Sequence, residues 1–229
     1  MTINMTRTKM CTGIALLTFI ALVDGHGRLI DPPARSSMWR FGFKTPINHD
    51  DMSLYCGGFY RQWTVNKGRC GLCGDPYDGP REQEAGGKYA TGTIARTYRQ
   101  GDVIPVAVQL TQSHLGWFEF RLCPSEPATQ DCLDSHLLPL ANGSRRYTVL
   151  SKESIIHNMT LRLPYNVSCS HCVLQWKYNT GNSWGCEEDT SKCCLGCGPQ
   201  EQYFGCADVA ILHPEGSKTV DKRNNTTPR

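Results

Sequence analysis

The sequence has no apolar run long enough to cross a membrane. Its most apolar stretch, Ile14 to Val23, stops well short of the roughly 20 residues that a span requires. It also lacks any block of like charge: 24 Lys and Arg stand against 21 Asp and Glu, a net charge of +3 over 229 residues. Nucleic acids and anionic membranes call for clustered basic residues, so neither is an expected partner, and an uncharged polymer fits at least as well. Helical periodicity is scarce, and no internal repeat is found.

Cysteine, by contrast, is abundant. Of the 13, Cys11 falls in a segment that reads as a secretory signal. Arg7 and Lys9 give the basic start, the apolar run follows, and Val23 and Gly25 occupy the −3 and −1 positions of a cleavage site. The expected organisation is a signal peptide over 1–25, one domain over 26–213 and a flexible polar tail over 214–229. Cleavage after Gly25 removes Arg7, Lys9 and Asp24, leaving a secreted, extracellular, monomeric chain of net charge +2 that begins at His26.

The remaining cysteines are Cys56, Cys70, Cys73, Cys123, Cys132, Cys169, Cys172, Cys186, Cys193, Cys194, Cys197 and Cys206. An even, dense set behind a signal peptide reads as up to six disulfides. Their pairing stays open, except that Cys123 and Cys132 close a short loop after an expected strand. Glycosylation sequons at Asn142, Asn158, Asn166, Asn224 and Asn225 agree with a secretory route.

Period-two patterning points to strands. Phe118, Phe120 and Leu122 alternate with Glu119 and Arg121; Met159, Leu161 and Leu163 with Thr160 and Arg162; Leu174, Trp176 and Tyr178 with Gln175 and Lys177. Ala207, Val209 and Ile211 alternate with Cys206, Asp208 and Ala210, and Val103 to Leu110 is a further β-rich run. The expected fold is all-β: an immunoglobulin- or fibronectin-like antiparallel β-sandwich with long disulfide-pinned loops and little helix. Residues 31–100, rich in Gly, Pro and Cys, read as a long loop insertion with one or two helical turns.

A histidine at the start of a mature chain offers a metal two nitrogens, its α-amino group and its ring Nδ1. A second imidazole completes a three-nitrogen, T-shaped set, and tetragonal nitrogen ligation favours copper. The other histidines, His49, His136, His157, His171 and His213, read as surface or locally bonded residues.

Several segments then carry a resemblance. They are His26-Gly27-Arg28-Leu29, Cys56-Gly57-Gly58, Cys70-Gly71-Leu72-Cys73-Gly74-Asp75, Gly86-Gly87-Lys88-Tyr89, the run His114 to Cys123, Gly181-Asn182-Ser183-Trp184-Gly185, and the run Cys197 to Val209. In this order the chain resembles the lytic polysaccharide monooxygenases, and among them auxiliary activity family 15. The resemblance implies a secreted, copper-dependent oxidative enzyme with one copper ion and an external electron donor. Oxygen or hydrogen peroxide would oxidise C1 or C4 of a crystalline polysaccharide, chitin first and cellulose second.

It also implies roles. His26 and His114 would form a histidine brace, with Tyr203 at the axial position. Glu201, two residues before Tyr203 and so on the same face of a strand, would orient the co-substrate. The chain departs from the family at Thr111-Gln112-Ser113-His114, where Thr-Ala-Asn-His is usual. Gln112 would crowd the axial side or donate a hydrogen bond there. Trp39, Tyr60, Trp63 and Trp184 are candidates for stacking on sugar rings.

Three other readings compete: a zinc protein using Cys70-x-x-Cys73 and Cys169-x-x-Cys172 with His171, a non-catalytic chitin- or copper-binding module, and a hydrolase, for which no acid–base pair stands out. Thiol titration of the unfolded, unreduced protein separates the first from the disulfide reading. Near-zero thiol is expected, whereas a zinc protein would release four.

Overall fold

The computed structural model describes residues 26–213. The expected signal peptide and C-terminal tail, with Asn224 and Asn225, lie outside the described residues.

Two sheets face each other. The smaller holds β1 (His26–Asp31), β3 (Val103–Gln112) and β7 (Ile156–Arg162), all antiparallel, in the order β1-β3-β7. The larger runs β2 (Arg96–Arg99), β11 (Gln202–Leu212), β8 (Cys169–Asn179), β4 (Trp117–Cys123), β5 (Leu137–Leu138), with β6 (Tyr147–Thr148) also on β4. A separate hairpin joins β9 (Trp184–Cys186) to β10 (Cys193–Leu195). The only helix of the α type among the described residues is α1 (Gln130–Asp134), where Thr129 Oγ1 caps the Cys132 N–H at 3.2 Å. This is the expected sandwich.

Alternation builds its core. Val106, Val108 and Leu110 of β3 meet Phe118, Leu174 and Trp176 of the larger sheet, all buried. Burying such side chains contributes roughly 1.5–3 kcal/mol each. Phe118 lies edge-on to Trp176 and Tyr178, with ring centroids 5.6 and 5.0 Å apart.

Three features differ from the alternating pattern. β11 is buried on both faces, including Asp208 and Gln202, because the 31–95 segment covers the outer face of the larger sheet. Cys73–Cys206 bolts that segment down, and Arg35 donates to both carboxylate oxygens of Asp208. Second, β2 lies within the stretch expected to be loop. It is a four-residue, mostly exposed edge strand with no apolar alternation to announce it. Third, β2 pairs with β11 in parallel, which the long connection between them permits. The expected helical turns occur at Met38–Phe41 and Arg61–Val65.

All 12 cysteines of the described residues are in disulfides: Cys56–Cys70, Cys73–Cys206, Cys123–Cys132, Cys169–Cys172, Cys186–Cys193 and Cys194–Cys197. The zinc reading therefore has no thiolate to use. Cys73–Cys206 closes a separation of 133 residues. Replacing both by Ser should cost about 2–4 kcal/mol, read as a lower denaturant midpoint, while removal of Cys123–Cys132, with a separation of 9, should cost less.

Candidate metal centre

The first strand sets one half of the site. His26 stands opposite Gln112 in the β1–β3 register, and its carbonyl accepts from Thr111 Oγ1 at 3.3 Å. The Gly27 N–H donates to the Met52 carbonyl at 3.1 Å. A Cβ on Gly27 would stand 2.6 Å from Leu110 Cδ2 and 3.1 Å from the Trp176 ring, so glycine lets β1 lie against the core. Arg28 then ties β1 down, donating to Gln109 Oε1 at 3.0 and 2.7 Å and to the Asp51 carboxylate at 2.9 and 3.1 Å. Arg40 binds the same buried carboxylate, so Asp51 is not left as an uncompensated charge.

The second imidazole sits just past β3. The His114 N–H donates to Tyr178 Oη at 2.9 Å, and the His114 carbonyl accepts from the Gly181 N–H at 2.9 Å. The chain then turns through left-handed Leu115 and Gly116, at φ 57° and 88°. A Cβ on Gly116 would lie 2.0 Å from the Asn179 carbonyl oxygen, so only glycine passes there. The Ser113 hydroxyl donates to the Ser151 carbonyl at 2.6 Å and also meets the Tyr178 phenol.

Tyr178 pairs across the sheet with Tyr203, their rings 5.9 Å apart, and Tyr203 stacks on Tyr55 at 5.8 Å. Burial pushes the Tyr178 phenol up to about 12, against the hydrogen bond from the His114 N–H, so it stays protonated. Tyr203 is buried, and its hydroxyl donates to Glu201 Oε2 at 2.8 Å. Strand register and this hydrogen-bond chain thus bring the elements carrying His26, Gln112, His114, Tyr203 and Glu201 to one end of the sandwich. With every described cysteine in a disulfide, the donors there are imidazole, phenol and carboxylate. Neutral nitrogen donors suit copper.

The four aromatic candidates divide. Trp184 and Tyr60 are 71% and 70% exposed. Trp39 and Trp63 are half-buried, and each spends its indole N–H on a loop carbonyl, Asn48 at 3.1 Å and Gln200 at 2.8 Å. Trp184 sits on the β9–β10 hairpin, next to the Gly181 that binds His114. Asn142, Asn158 and Asn166 are exposed.

Of the remaining histidines, His157 is buried against Phe118 and Tyr147, and burial lowers its pKa. His49 lies edge-on to Trp39, His136 Nδ1 is 3.0 Å from the Cys132 carbonyl, and His213 Nε2 is 3.0 Å from Ser168 Oγ. His171 joins Glu126 and Asp208, whose ligand atoms cluster within 4.8 Å. The Arg35 guanidinium already supplies the cation there, pairing with Asp208 and, at 3.0 Å, with Glu126.

Comparison with known proteins shows the family. A family model described as lytic polysaccharide mono-oxygenase, cellulose-degrading, matches residues 26–209. The chain belongs to the lytic polysaccharide monooxygenases. An auxiliary activity family 15 lytic polysaccharide monooxygenase from Thermobia domestica, in the Cu(I) state, is similar at 47% identity and a TM-score of 0.78. The match covers 81% of this chain and 98% of that one. The protein is accordingly a copper-dependent enzyme of the family 15 kind, taking a single copper ion and oxidising polysaccharide with electrons from an external reductant. A chitin binding domain from Burkholderia pseudomallei is 13% identical, with a TM-score of 0.47 over 82% of this chain and all of that one. A search of curated proteins finds no match.

Sequence reasoning missed Tyr178 and Tyr55 as parts of this site. Tyr178 shows only as one of the alternating core residues of β8, and nothing in its spacing announces a bond to the His114 N–H. Tyr178→Phe keeps the ring but leaves that N–H without its acceptor. The expected outcome is a loss of about 1 kcal/mol in stability and a shifted paramagnetic resonance spectrum of the copper-loaded protein. Ser113→Ala should leave the spectrum closer to the parent.

Proposed function

We propose that His26 and His114 would hold the copper ion, His26 through both its α-amino nitrogen and its imidazole, with Tyr203 as a further ligand. The observation that carries this is the register setting His26 across from Gln112, two residues before His114. The amine is available only after cleavage following Gly25, so secretion of a monomeric domain spanning 26–213 belongs to the same proposal. When bound, the copper supplies one-electron redox chemistry that oxidises C1 or C4 of a sugar ring at the expense of the reductant and oxygen or hydrogen peroxide.

The residues of the chain supply the geometry. Pairing of β1 with β3 holds the His26 amine and ring at the sheet end. Tyr178 and Gly181 clamp the His114 backbone from both sides, so its imidazole leaves a fixed loop. Glu201 accepts from the Tyr203 hydroxyl, orienting the phenol and keeping a proton acceptor beside the site. Gln112, opposite His26, brings an amide where the family usually has a methyl group.

Chitin is the substrate the surface suits best. A depression of about 370 Å³ next to His114 is lined by Leu115, Val149, Leu150 and Leu195, among others. Leu150 and Leu195 are exposed, as is Trp184 on the same hairpin. An apolar hollow beside the copper residues accommodates an acetamido methyl group, which cellulose lacks. The exposed Trp184 ring offers a face on which a sugar stacks.

The test compares protein beginning at His26 with a form extended by one Met, each verified by N-terminal sequencing. The extension turns the amine into an amide nitrogen and removes the chelate. The His26 form should bind copper tightly and give oxidised chitin fragments by mass spectrometry only when reductant is present. The extended form should bind copper weakly and give none, with an unchanged metal-free Tm. Equal activity from both would overturn the ligand assignment. A higher yield from cellulose would reverse the substrate order.

A further inference from the structure

On the opposite face of the larger sheet, away from Tyr203, the 68–84 loop and the outward side chains of β4, β8 and β11 enclose a cavity of about 660 Å³. That volume lies in the range of small-molecule sites. Its wall is fixed, because Cys73–Cys206 tethers the loop to the sheet and Cys56–Cys70 ties it to the turn at Cys56. The charged residues lining it are Arg69, Arg81, Arg121 and Lys177 against Glu84 and Asp134, an excess of two positive charges.

The two carboxylates are already engaged. Glu84 binds Arg81 at 2.6 Å and the Leu72 N–H at 2.8 Å, and Asp134 lies 3.3 Å from Arg121. Arg121 also meets Glu119 outside the cavity at 2.9 Å. Lys177 has no ion pair among the described residues. Its ammonium rests instead over the rings of Phe204 and Trp117, at 5.7 and 6.0 Å. Burial, and then Arg121, lowers its pKa, against the opposing pull of Glu119 and Asp134. Arg69 stacks on Tyr77 at 4.2 Å and donates to that phenol and to the Asn66 carbonyl, none of them a carboxylate.

We propose that this cavity binds a small ligand bearing a carboxylate, sulfate or phosphate group, with Lys177 and Arg69 as its charge partners and the polar wall taking the rest of the molecule. A desolvated ammonium over aromatic rings gains most from an oxyanion that also displaces water. The site is independent of the copper assignment, since none of its residues belongs to the metal centre.

The test is calorimetric titration of the copper-loaded enzyme with three probes: methyl β-D-glucuronide, the uncharged methyl β-D-glucoside, and inorganic sulfate. The glucuronide should bind at least tenfold more tightly than the glucoside. Lys177→Met, which keeps the stem over Phe204, should weaken it at least tenfold, and Arg69→Gln, at the more exposed rim, severalfold. Both variants should retain the parent copper spectrum and polysaccharide oxidation. Sulfate matching the glucuronide would identify a plain oxyanion site, and a much tighter glucuronide would identify a sugar acid. Equal binding of glucuronide and glucoside, undiminished binding in both variants, or no binding of either anion at millimolar concentration would overturn the proposal.

Discussion

The antiparallel pairing of β1 with β3 is the interaction on which the rest of the molecule depends. It adds the first six described residues to the smaller sheet, sets Leu29 into the core and fixes His26 opposite Gln112. Cleavage after Gly25, as proposed, would make His26 a chain terminus, ordinarily the least ordered part of a domain. Here it is held by strand pairing, by the Gly27–Met52 hydrogen bond and by the Arg28 bridge to Asp51. A metal ligand drawn from a terminus needs that restraint, because a frayed end would lose most of its chelating advantage to conformational entropy.

The larger sheet carries two different environments on its two faces. The inner face continues the hydrophobic core toward Tyr178 and Tyr203. The outer face is roofed by the long 31–95 segment, and its residues are polar yet buried: Gln175, Gln202, Asp208. Each finds a partner, as with the Gln175 amide on the Leu72 carbonyl at 2.7 Å and Gln202 between Gln62 and Asn179. A roof lacking regular structure is stable here because disulfides and buried polar bonds replace the hydrophobic face it does not have.

Much of this was legible in the residues. Strands β3, β4, β7, β8 and β11, each seven or more residues long, announce themselves by β-rich or alternating runs. The dense cysteines announce covalent pinning. What stayed hidden is non-local. β1 and β2 are too short and polar to show a pattern, and β2 exists only because β11 offers its edge. Asp208 and Cys206 read as the solvent side of β11, since alternation cannot foresee a roof contributed by residues over a hundred positions away. The same holds for Tyr178, whose hydroxyl meets His114 only through the β4–β8 pairing and the turn at Gly116. Glu201 was placed by alternation alone, and its bond to the Tyr203 hydroxyl comes from the same local geometry.

The β9–β10 hairpin has a chemical vulnerability. Two short cystines, Cys186–Cys193 and Cys194–Cys197, shape it, and the sulfur-bearing residues of the first are exposed. An exposed disulfide is open to nucleophilic attack by a thiolate, which exchanges into the bridge and leaves a mixed disulfide. A reductant of the thiol type would therefore act twice on this enzyme. It would reduce the copper and, at the same time, open the hairpin that carries Trp184 and Leu195. Electron donors without sulfur, delivering one electron at a time, spare it, so the redox chemistry of the hairpin narrows the class of donor under which the enzyme keeps its working shape.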